Sequence, residues 1–159
     1  MKFRVGLGFD LHRLGPGSQL TLGGVDIPYS RSFIAHSDGD VLCHAVVDAL
    51  LGAAGLGNIG ERFPDTDPKY KGTASLMFLT EAANLLWQNG FRIENIDSNV
   101  LAEKPKLLPH FAAMREKLAA AVGIPIEKIS VKAKTMEGVG AIGKEEAIAA
   151  EAVALVSFD

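Results

Sequence analysis

The sequence contains one spacing of side chains that suits a metal ion. Asp10 and His12 are two residues apart in an alternating segment, and His44 lies inside a later stretch with helical periodicity. Residues i and i+2 of a β-strand point to the same face, so Asp10 and His12 would lie side by side, with His44 joining them from elsewhere. Imidazole and carboxylate groups both bind zinc, and catalytic zinc sites use three protein ligands and one open position. The alternative is a surface pair beside a hydrogen-bonded, partly buried histidine.

Three further polar segments suit a phosphate or another polar ligand. Residues 36–40 (HSDGD) could place a phosphate at the N-terminal amides of a helix, or could simply cap that helix. Residues 63–68 (FPDTDP) could present carboxylates and amides to a ligand, or form a surface turn. The strand-to-turn junction at 132–137 could hold a diphosphate and its divalent cation, or form a solvated edge, through Lys132, Lys134, Thr135 and Glu137.

Strands and helices must bring these segments together, and hydrophobic periodicity predicts where they lie. Residues 3–11 alternate apolar side chains with polar residues or glycine, which predicts a half-buried strand. Gly6 and Gly8 share the face of Asp10 and leave the backbone bare, so another group could approach closely there. Residues 19–28 predict a short hairpin.

A helix is predicted from residue 38 or 39 to about residue 54, with Ser37 or Asp38 available as its N-cap. One stripe of this helix is apolar. Val47 and Leu51 lie on the other side, together with His44, so we expect both sides to be covered.

The rest of the chain alternates helical and strand patterns. In chain order these patterns predict a loop over 56–72, a helix over 73–89, a strand over 93–102, a helix over 109–122, a strand over 129–134 and a turn over 135–143. The C-terminal segment is ambiguous, because its alanine and glutamate favour a helix and its last apolar residues favour a strand. The order of elements predicts an α+β fold, with one sheet and helices on one of its faces.

Length, charge and cysteine content exclude several classes of protein. The 159 residues predict a single domain, residues 1–159. With 16 Lys and Arg, 19 Asp and Glu and a net charge of −3, the chain has no basic run that would make a nucleic acid its main partner. Its longest apolar or glycine stretch, residues 49–57, is too short for a membrane span. The single cysteine, Cys43, forms no internal disulfide, which favours a cytoplasmic location.

Five sequence blocks together resemble a known enzyme family. They are GFDLH at 8–12, AHSDGDVLCHAVVDALLGAAGLGNIG at 35–60, FPDTDP at 63–68, KPKLLPH at 104–110 and KAKTMEGVG at 132–140. These blocks resemble the 2-C-methyl-D-erythritol 2,4-cyclodiphosphate synthases of the non-mevalonate isoprenoid pathway. The resemblance implies a ferredoxin-like α+β domain with a C-terminal strand. It also implies a homotrimer with active sites at the subunit interfaces.

The resemblance implies a reaction and a set of roles. The substrate would be 4-diphosphocytidyl-2-C-methyl-D-erythritol 2-phosphate, whose 2-phosphate attacks its own β-phosphate and releases CMP. Asp10, His12 and His44 resemble the zinc ligands, although another divalent cation could occupy that site. Glu137 resembles the ligand of a magnesium or manganese ion that bridges the diphosphate, and His36 and Thr135 resemble the catalytic residues that stabilise the transition state.

The resemblance also implies a larger set of substrate-binding residues. Asp10, His12, His36, Thr135 and Glu137 belong to it as well, and the others are Ser37, Asp48, Asn58, Ile59, Gly60, Phe63, Pro64, Asp65, Ala102, Lys104, Pro105, Lys106, Leu107, Leu108, Lys132, Lys134, Met136 and Lys144. Two positions depart from the family pattern. Asn58 replaces an aspartate that would bind a substrate hydroxyl. Lys144 replaces an arginine that binds isoprenoid diphosphates in the central cavity of some members.

Two other functions are compatible with the same residues. A zinc-dependent phosphohydrolase would use a metal-bound water and release inorganic phosphate rather than CMP alone. A binder of isoprenoid diphosphates without catalytic activity is the second alternative, suggested by Asn58, and the intact candidate metal ligands argue against it.

Overall fold

A five-stranded mixed sheet and a separate two-stranded hairpin form the framework of the fold. The computed structural model describes residues 1–64, 66–70 and 72–159. The strands are β1 (Lys2–Pro16), β2 (Gln19–Leu22), β3 (Val25–Pro28), β4 (Arg31–Phe33), β5 (Arg92–Leu101), β6 (Ile129–Lys134) and β7 (Ala147–Phe158). The α-helices are α1 (Val41–Ala54), α2 (Ile59–Arg62), α3 (Ser75–Gln88), α4 (Phe111–Val122) and α5 (Gly140–Gly143), and short 3-10 turns lie at Pro68–Tyr70, Leu108–His110 and Ile126–Lys128.

Strand β7 lies at the centre of the sheet, whose order is β4-β1-β7-β5-β6. It pairs antiparallel with β1, from Arg13 opposite Ala147 to Lys2 opposite Phe158, and antiparallel with β5 on its other side. The C-terminal segment is therefore a strand, because ladder partners on both sides outweigh the helix propensity of its alanines. Strands β5 and β6 run parallel, so the sheet is mixed. The α+β prediction is confirmed, whereas the ferredoxin-like arrangement stays a prediction.

Helix α1 packs directly on the backbone of β1 at the two predicted glycines. A Cβ atom at Gly6 would lie 1.9 Å from the Ala49 carbonyl oxygen, and one at Gly8 would lie 1.8 Å from the Ala45 carbonyl oxygen. No side chain fits in that space, so glycine is required for this close approach. The contact brings the first turn of α1 next to the middle of β1, which carries Asp10.

Helix α1 is buried on both sides, as predicted. Of its residues only Asp48 and Gly52 are not buried. One side of the helix packs on β1 and β7, and the other packs against α3 of the same chain. The cover of the second side therefore needs no partner subunit, and this burial is not evidence for a trimer.

Several predicted helix boundaries were wrong, and N-capping explains the start of α1. The N-cap of α1 is Asp40 rather than Ser37 or Asp38. The fully buried Asp40 carboxylate accepts hydrogen bonds from the amides of Cys43, Gly23 and Gly24, so it joins the helix to the β2–β3 turn. Burial raises the pKa of Asp40, and the hydrogen bonds from these backbone amides partly oppose that rise.

The predicted loop over residues 56–72 is partly helical. It contains α2 and the 3-10 turn at Pro68–Tyr70. Helix α3 starts at Ser75 and α4 at Phe111, each two residues later than predicted. A 3-10 turn over Leu108–His110 precedes α4, and neither helix has a side-chain hydrogen bond at its N-cap.

The sheet face opposite the helices carries an apolar stripe. Phe3, Val5, Leu7, Phe9 and Leu11 of β1 point away from α1 and are 44% to 72% exposed in the single chain. The buried face of β1 is thus the one with glycine, aspartate and histidine. Among the described residues, no helix is both long and apolar enough to cross a membrane.

Candidate metal centre and substrate cavity

Three side chains converge where β1 meets α1. Asp10 and His12 come from the helix-facing side of β1, and His44 comes from the first turn of α1. The Asp10 Oδ2 atom lies 3.0 Å from His12 Nδ1 and 2.9 Å from His44 Nδ1. One donor atom from each residue lies within 4.8 Å of the other two. The predicted Asp10, His12 and His44 group is therefore confirmed as a cluster that can bind a metal ion.

The environment of His12 also suits a bound cation. Its Nδ1 atom is buried and has no hydrogen-bond partner among the described residues, because Asp10 lies close to it but in a direction that forms no hydrogen bond. An unpaired buried nitrogen costs free energy unless a ligand occupies it. The donor set of two imidazoles and one carboxylate is typical of sites for zinc and related divalent ions.

The charge state of Asp10 prepares it to be a ligand. Partial burial by itself raises the pKa of this carboxyl, but the adjacent imidazoles of His12 and His44 outweigh that effect and hold the pKa well below its ordinary value. Metal ligands must be deprotonated to bind. Asp10 is therefore ionised throughout the physiological pH range.

The cluster lines a cavity of about 670 Å³. The predicted residues that also line it are His36, Ser37, Ile59, Gly60 and Phe63. The exposed His36 lies at the mouth, and Ser37 accepts a weak hydrogen bond of 3.3 Å from the Gly39 amide. The structure thus brings the metal cluster, part of the HSDGD segment and part of the 58–63 segment to one cavity.

The cavity wall also includes Thr66 and Pro68 of the predicted 63–68 segment, together with Tyr70 and Phe78, which sequence reasoning missed. The ring centroids of Phe63, Tyr70 and Phe78 lie 5.0 to 5.7 Å from one another, so the three rings form an apolar wall. Phe78 lies on the buried stripe of α3, where its spacing is that of an ordinary core residue. Only the contact between α3 and the 63–70 segment identifies it as a cavity residue. Asp65, a predicted substrate contact, lies outside the described residues.

Asp48 and Asn58 have structural partners that the sequence did not indicate. The Asp48 Oδ1 atom accepts a 2.7 Å hydrogen bond from the Ile59 amide and so holds the start of α2 against α1. Burial raises the pKa of Asp48, which this hydrogen bond opposes. Asn58 is the N-cap of α2: its oxygen accepts from the Glu61 amide at 3.0 Å, and its nitrogen donates to the Glu61 carboxylate at 2.8 Å. Their contacts with a substrate stay predictions.

A second group of predicted residues lies at the end of β6. Thr135 Oγ1 donates to Glu137 Oε1 at 3.1 Å, and both residues are exposed. Glu103, which sequence reasoning did not single out as a site residue, holds this turn: one of its carboxylate oxygens accepts from the Met136 and Gly138 amides at 3.2 and 3.4 Å. No pattern in the sequence links residues so far apart.

The two groups do not meet within one chain. Asp10 pairs with Ala150, Ala150 with Val100, and Val100 with Ala133, so three strand spacings separate Asp10 from β6. At about 4.8 Å per strand this is roughly 14 Å. Alternation along β6 also places the exposed Lys132 and Lys134 on the sheet face opposite the helices, whereas Asp10 faces the helices.

The predicted substrate-binding residues between positions 102 and 108 follow β5 beside this second group. Ala102 and Leu107 are buried, Pro105 is half-buried, and Lys104, Lys106 and Leu108 are exposed. Lys104 Nζ lies 3.2 Å from the Glu145 carboxylate, which also accepts a 2.7 Å hydrogen bond from the Tyr29 hydroxyl.

The remaining predicted residues lie either next to the cavity or beside the group at the end of β6. Pro64 is half-buried next to the cavity residue Phe63. Met136 and Lys144 are exposed beside the second group.

Comparison with known proteins shows the family. The YgbB family model matches residues 3–157. The 2-C-methyl-D-erythritol 2,4-cyclodiphosphate synthase of Burkholderia thailandensis is 53% identical over 156 residues, which cover 98% of this chain and 96% of that protein.

Solved structures agree with this assignment. A structure described as IspF from Plasmodium falciparum in complex with CDP is 35% identical, has a TM-score of 0.87, and is matched over 99% of this chain and 97% of that one. The bifunctional IspDF of Campylobacter jejuni is 41% identical with a TM-score of 0.95, over 99% of this chain but 43% of that longer chain. The chain therefore belongs to the YgbB family, the family of the 2-C-methyl-D-erythritol 2,4-cyclodiphosphate synthases.

Proposed function

We propose that this enzyme converts 4-diphosphocytidyl-2-C-methyl-D-erythritol 2-phosphate into 2-C-methyl-D-erythritol 2,4-cyclodiphosphate and CMP. An oxygen of the 2-phosphate forms a bond to the β-phosphorus, and the bond from the β-phosphorus to the bridging oxygen breaks, so that CMP leaves with that oxygen. The nucleophile is part of the substrate, so no covalent enzyme intermediate is needed. The observation that carries this proposal is the Asp10, His12 and His44 cluster in the wall of the cavity, in a chain of this family.

The cavity residues fold the substrate and exclude water. Asp10, His12 and His44 would hold a zinc ion, or another divalent cation, and when bound it would supply positive charge for a β-phosphate oxygen. His36 and Ser37 at the mouth can donate hydrogen bonds to phosphate oxygens. The aromatic wall around Phe63 is apolar and suits the carbon skeleton of the erythritol part.

The residues at the end of β6 bind the rest of the diphosphate. Glu137 would hold a magnesium or manganese ion, because carboxylate oxygen is a ligand that hard cations prefer. Thr135 donates a hydrogen bond to the developing charge, and Lys132 and Lys134 add positive charge nearby. Residues 102–108, with the exposed Lys104 and Lys106, form the cytidine pocket.

We infer that the active enzyme is a homotrimer, with each active site at a subunit interface. Three strand spacings, roughly 14 Å, separate Asp10 from β6, the strand that leads into the Thr135–Glu137 turn, so a neighbouring chain would bring the second group to the metal cluster. The exposed apolar stripe of β1 supplies a surface for that association. The exposed Lys144 would bind an isoprenoid diphosphate in the central cavity through its charge. In this proposal the chain forms a single synthase domain and acts in the cytoplasm.

A product assay tests this function. The purified protein is incubated with the substrate and zinc plus magnesium, and CMP, cyclodiphosphate and inorganic phosphate are quantified. Release of CMP and cyclodiphosphate in equal amounts, without inorganic phosphate, is expected. Inorganic phosphate as a main product would instead indicate a zinc-dependent phosphohydrolase, and no turnover together with tight isoprenoid diphosphate binding would indicate a binding protein.

A further inference from the structure

A chain of buried hydrogen bonds starts at the side of His44 that faces away from the cavity. His44 Nε2 lies 2.8 Å from Ser75 Oγ, and the Ser75 hydroxyl donates to Asp38 Oδ1. The Ser75 amide also donates to Asp38 Oδ2 at 2.9 Å. Ser75 is fully buried and His44 is 8% exposed, so these polar groups depend on one another for partners.

The direction of these hydrogen bonds follows from the number of protons. An ionised carboxylate only accepts, so the single hydroxyl proton of Ser75 is donated to Asp38. Ser75 Oγ must then accept a hydrogen bond from His44 Nε2, which places a ring proton on Nε2. With Nε2 donating to Ser75, Nδ1 is the ring atom left to bind a metal ion. It lies 2.9 Å from Asp10 Oδ2, and a bound cation would take the place of a proton shared between these two atoms.

The same carboxylate also joins two segments that carry the site. Asp38 lies in the HSDGD segment next to Ser37, and its Oδ1 atom accepts from the Asp40 amide at 3.2 Å. Through Ser75 it holds the first residue of α3, the helix that supplies Phe78 to the cavity wall. One residue therefore orients a candidate metal ligand and anchors both neighbouring segments.

We propose that Ser75 and Asp38 are positioning residues that hold His44 with Nδ1 directed at the metal ion. This inference rests on the proposed metal site at Asp10, His12 and His44. Neither Ser75 nor Asp38 is among the residues that line the cavity. Their effect passes through the ring orientation and tautomer of His44, which are the properties that outer hydrogen bonds set in metal sites.

Two substitutions separate this role from simple packing. Ser75→Ala removes the acceptor of the Nε2 proton and leaves His44 free to rotate. Asp38→Asn keeps the size of the side chain but introduces an N–H donor. If that group donates to Ser75 Oγ, the Ser75 hydroxyl must donate to Nε2, and the ring proton moves to Nδ1, where it opposes metal binding.

Ser98→Ala is the matched control. Ser98 is 2% exposed, and its hydroxyl donates to the Ser130 carbonyl at 2.8 Å between β5 and β6. The control therefore loses a buried serine hydroxyl and its hydrogen bond, as Ser75→Ala does, but away from the candidate metal centre. Ser75→Cys, with a group of similar size and weaker hydrogen bonding, is the second variant if Ser75→Ala fails to fold.

The experiment measures the zinc dissociation constant of the full-length protein by competition with a chelator. The tautomer of His44 in the zinc-bound state is read from long-range nitrogen NMR spectra. We expect Ser75→Ala and Asp38→Asn to weaken zinc binding by about 10- to 100-fold, while Ser98→Ala leaves it unchanged. The wild-type spectrum should show the proton on Nε2.

Each other outcome has a defined meaning. Wild-type zinc affinity in both Ser75→Ala and Asp38→Asn, or equal weakening in Ser98→Ala, would overturn the positioning role while leaving the proposed function intact. A wild-type protein that binds no zinc would overturn the proposed metal site and this inference together.

Discussion

The two halves of the proposed active site are built in different ways. The half at Asp10, His12 and His44 lies between a strand and a helix, and its groups are held by buried partners. The half at Thr135 and Glu137 lies in an exposed turn that is held by hydrogen bonds to a surface carboxylate. The first half is assembled within one chain, whereas in the proposed trimer the second half acts where another chain meets it. The comparison predicts that the two halves respond differently to substitution.

The largest effect is expected for His44→Ala in the buried half. Two remaining ligands lose both affinity and geometry, so zinc affinity should fall by more than about 100-fold, beyond the usual effect of an outer partner. Activity should fall with it. Zinc content measured by elemental analysis, beside CMP release, tests this, with His110→Ala as the control. Full zinc occupancy in His44→Ala would contradict the ligand assignment.

Glu137→Gln should affect the exposed half alone. A neutral amide is a poor ligand for a hard cation, so we expect kcat/KM at a fixed magnesium concentration to fall by about 10- to 100-fold, or roughly 1.4 to 2.7 kcal/mol. Zinc content should not change. Titration of activity with magnesium and manganese measures the response. An unaltered titration curve would remove Glu137 from the set of cation ligands.

Leu7→Lys tests whether the two halves meet through a second chain. Leu7 is 72% exposed in the apolar stripe, so a charge there should leave the single chain folded but oppose association. Activity should fall together with the trimer fraction, measured by light scattering at assay concentration. Met77→Lys is the control, because Met77 is 64% exposed on α3, away from the stripe. A monomeric, fully active wild-type protein would refute the shared site.

Asn58 offers a smaller test at the edge of the cavity. Asn58→Asp alone would bring a second carboxylate next to Glu61, so we pair it with Glu61→Gln, which removes that repulsion. A charge-assisted hydrogen bond to a substrate hydroxyl exceeds a neutral one by about 1 kcal/mol, so the double variant should raise kcat/KM by up to about tenfold. Glu61→Gln alone is the reference. An equal or lower kcat/KM in the double variant means that position 58 does not bind the hydroxyl.

The smallest expected effect is on the pH dependence of folding stability, through Tyr29, whose partner Glu145 lies beside the exposed half. Burial and the neighbouring Glu145 carboxylate raise the pKa of Tyr29 to about 12. Between the ordinary tyrosine pKa of about 10 and that value, the folded chain holds a proton that the unfolded chain loses, so stability falls as pH rises through this window. Tyr29→Phe should show less of this loss in melting temperatures measured from pH 9 to 12. Identical curves would contradict the role of Tyr29.

Local patterns in the sequence determined much of the fold. Alternation in residues 3–11 predicted β1, and apolar spacing predicted α1, because both patterns depend on neighbours in the chain. The C-terminal segment needed the resemblance, since propensity alone did not separate helix from strand. Its central place in the sheet supplied the hydrogen bonds that made it a strand.

In the candidate site, too, local spacing predicted some features and tertiary packing decided the others. The spacing of Asp10 and His12 placed them on one face, but only tertiary packing brought His44 within 2.9 Å of Asp10, through the close contact of α1 with Gly6 and Gly8. The partners of Asp38 and Asn58 were also decided by tertiary and turn geometry, since a short polar side chain can cap any nearby backbone amide. A single sequence determines which groups can do the chemistry, and packing over long separations decides which of them meet.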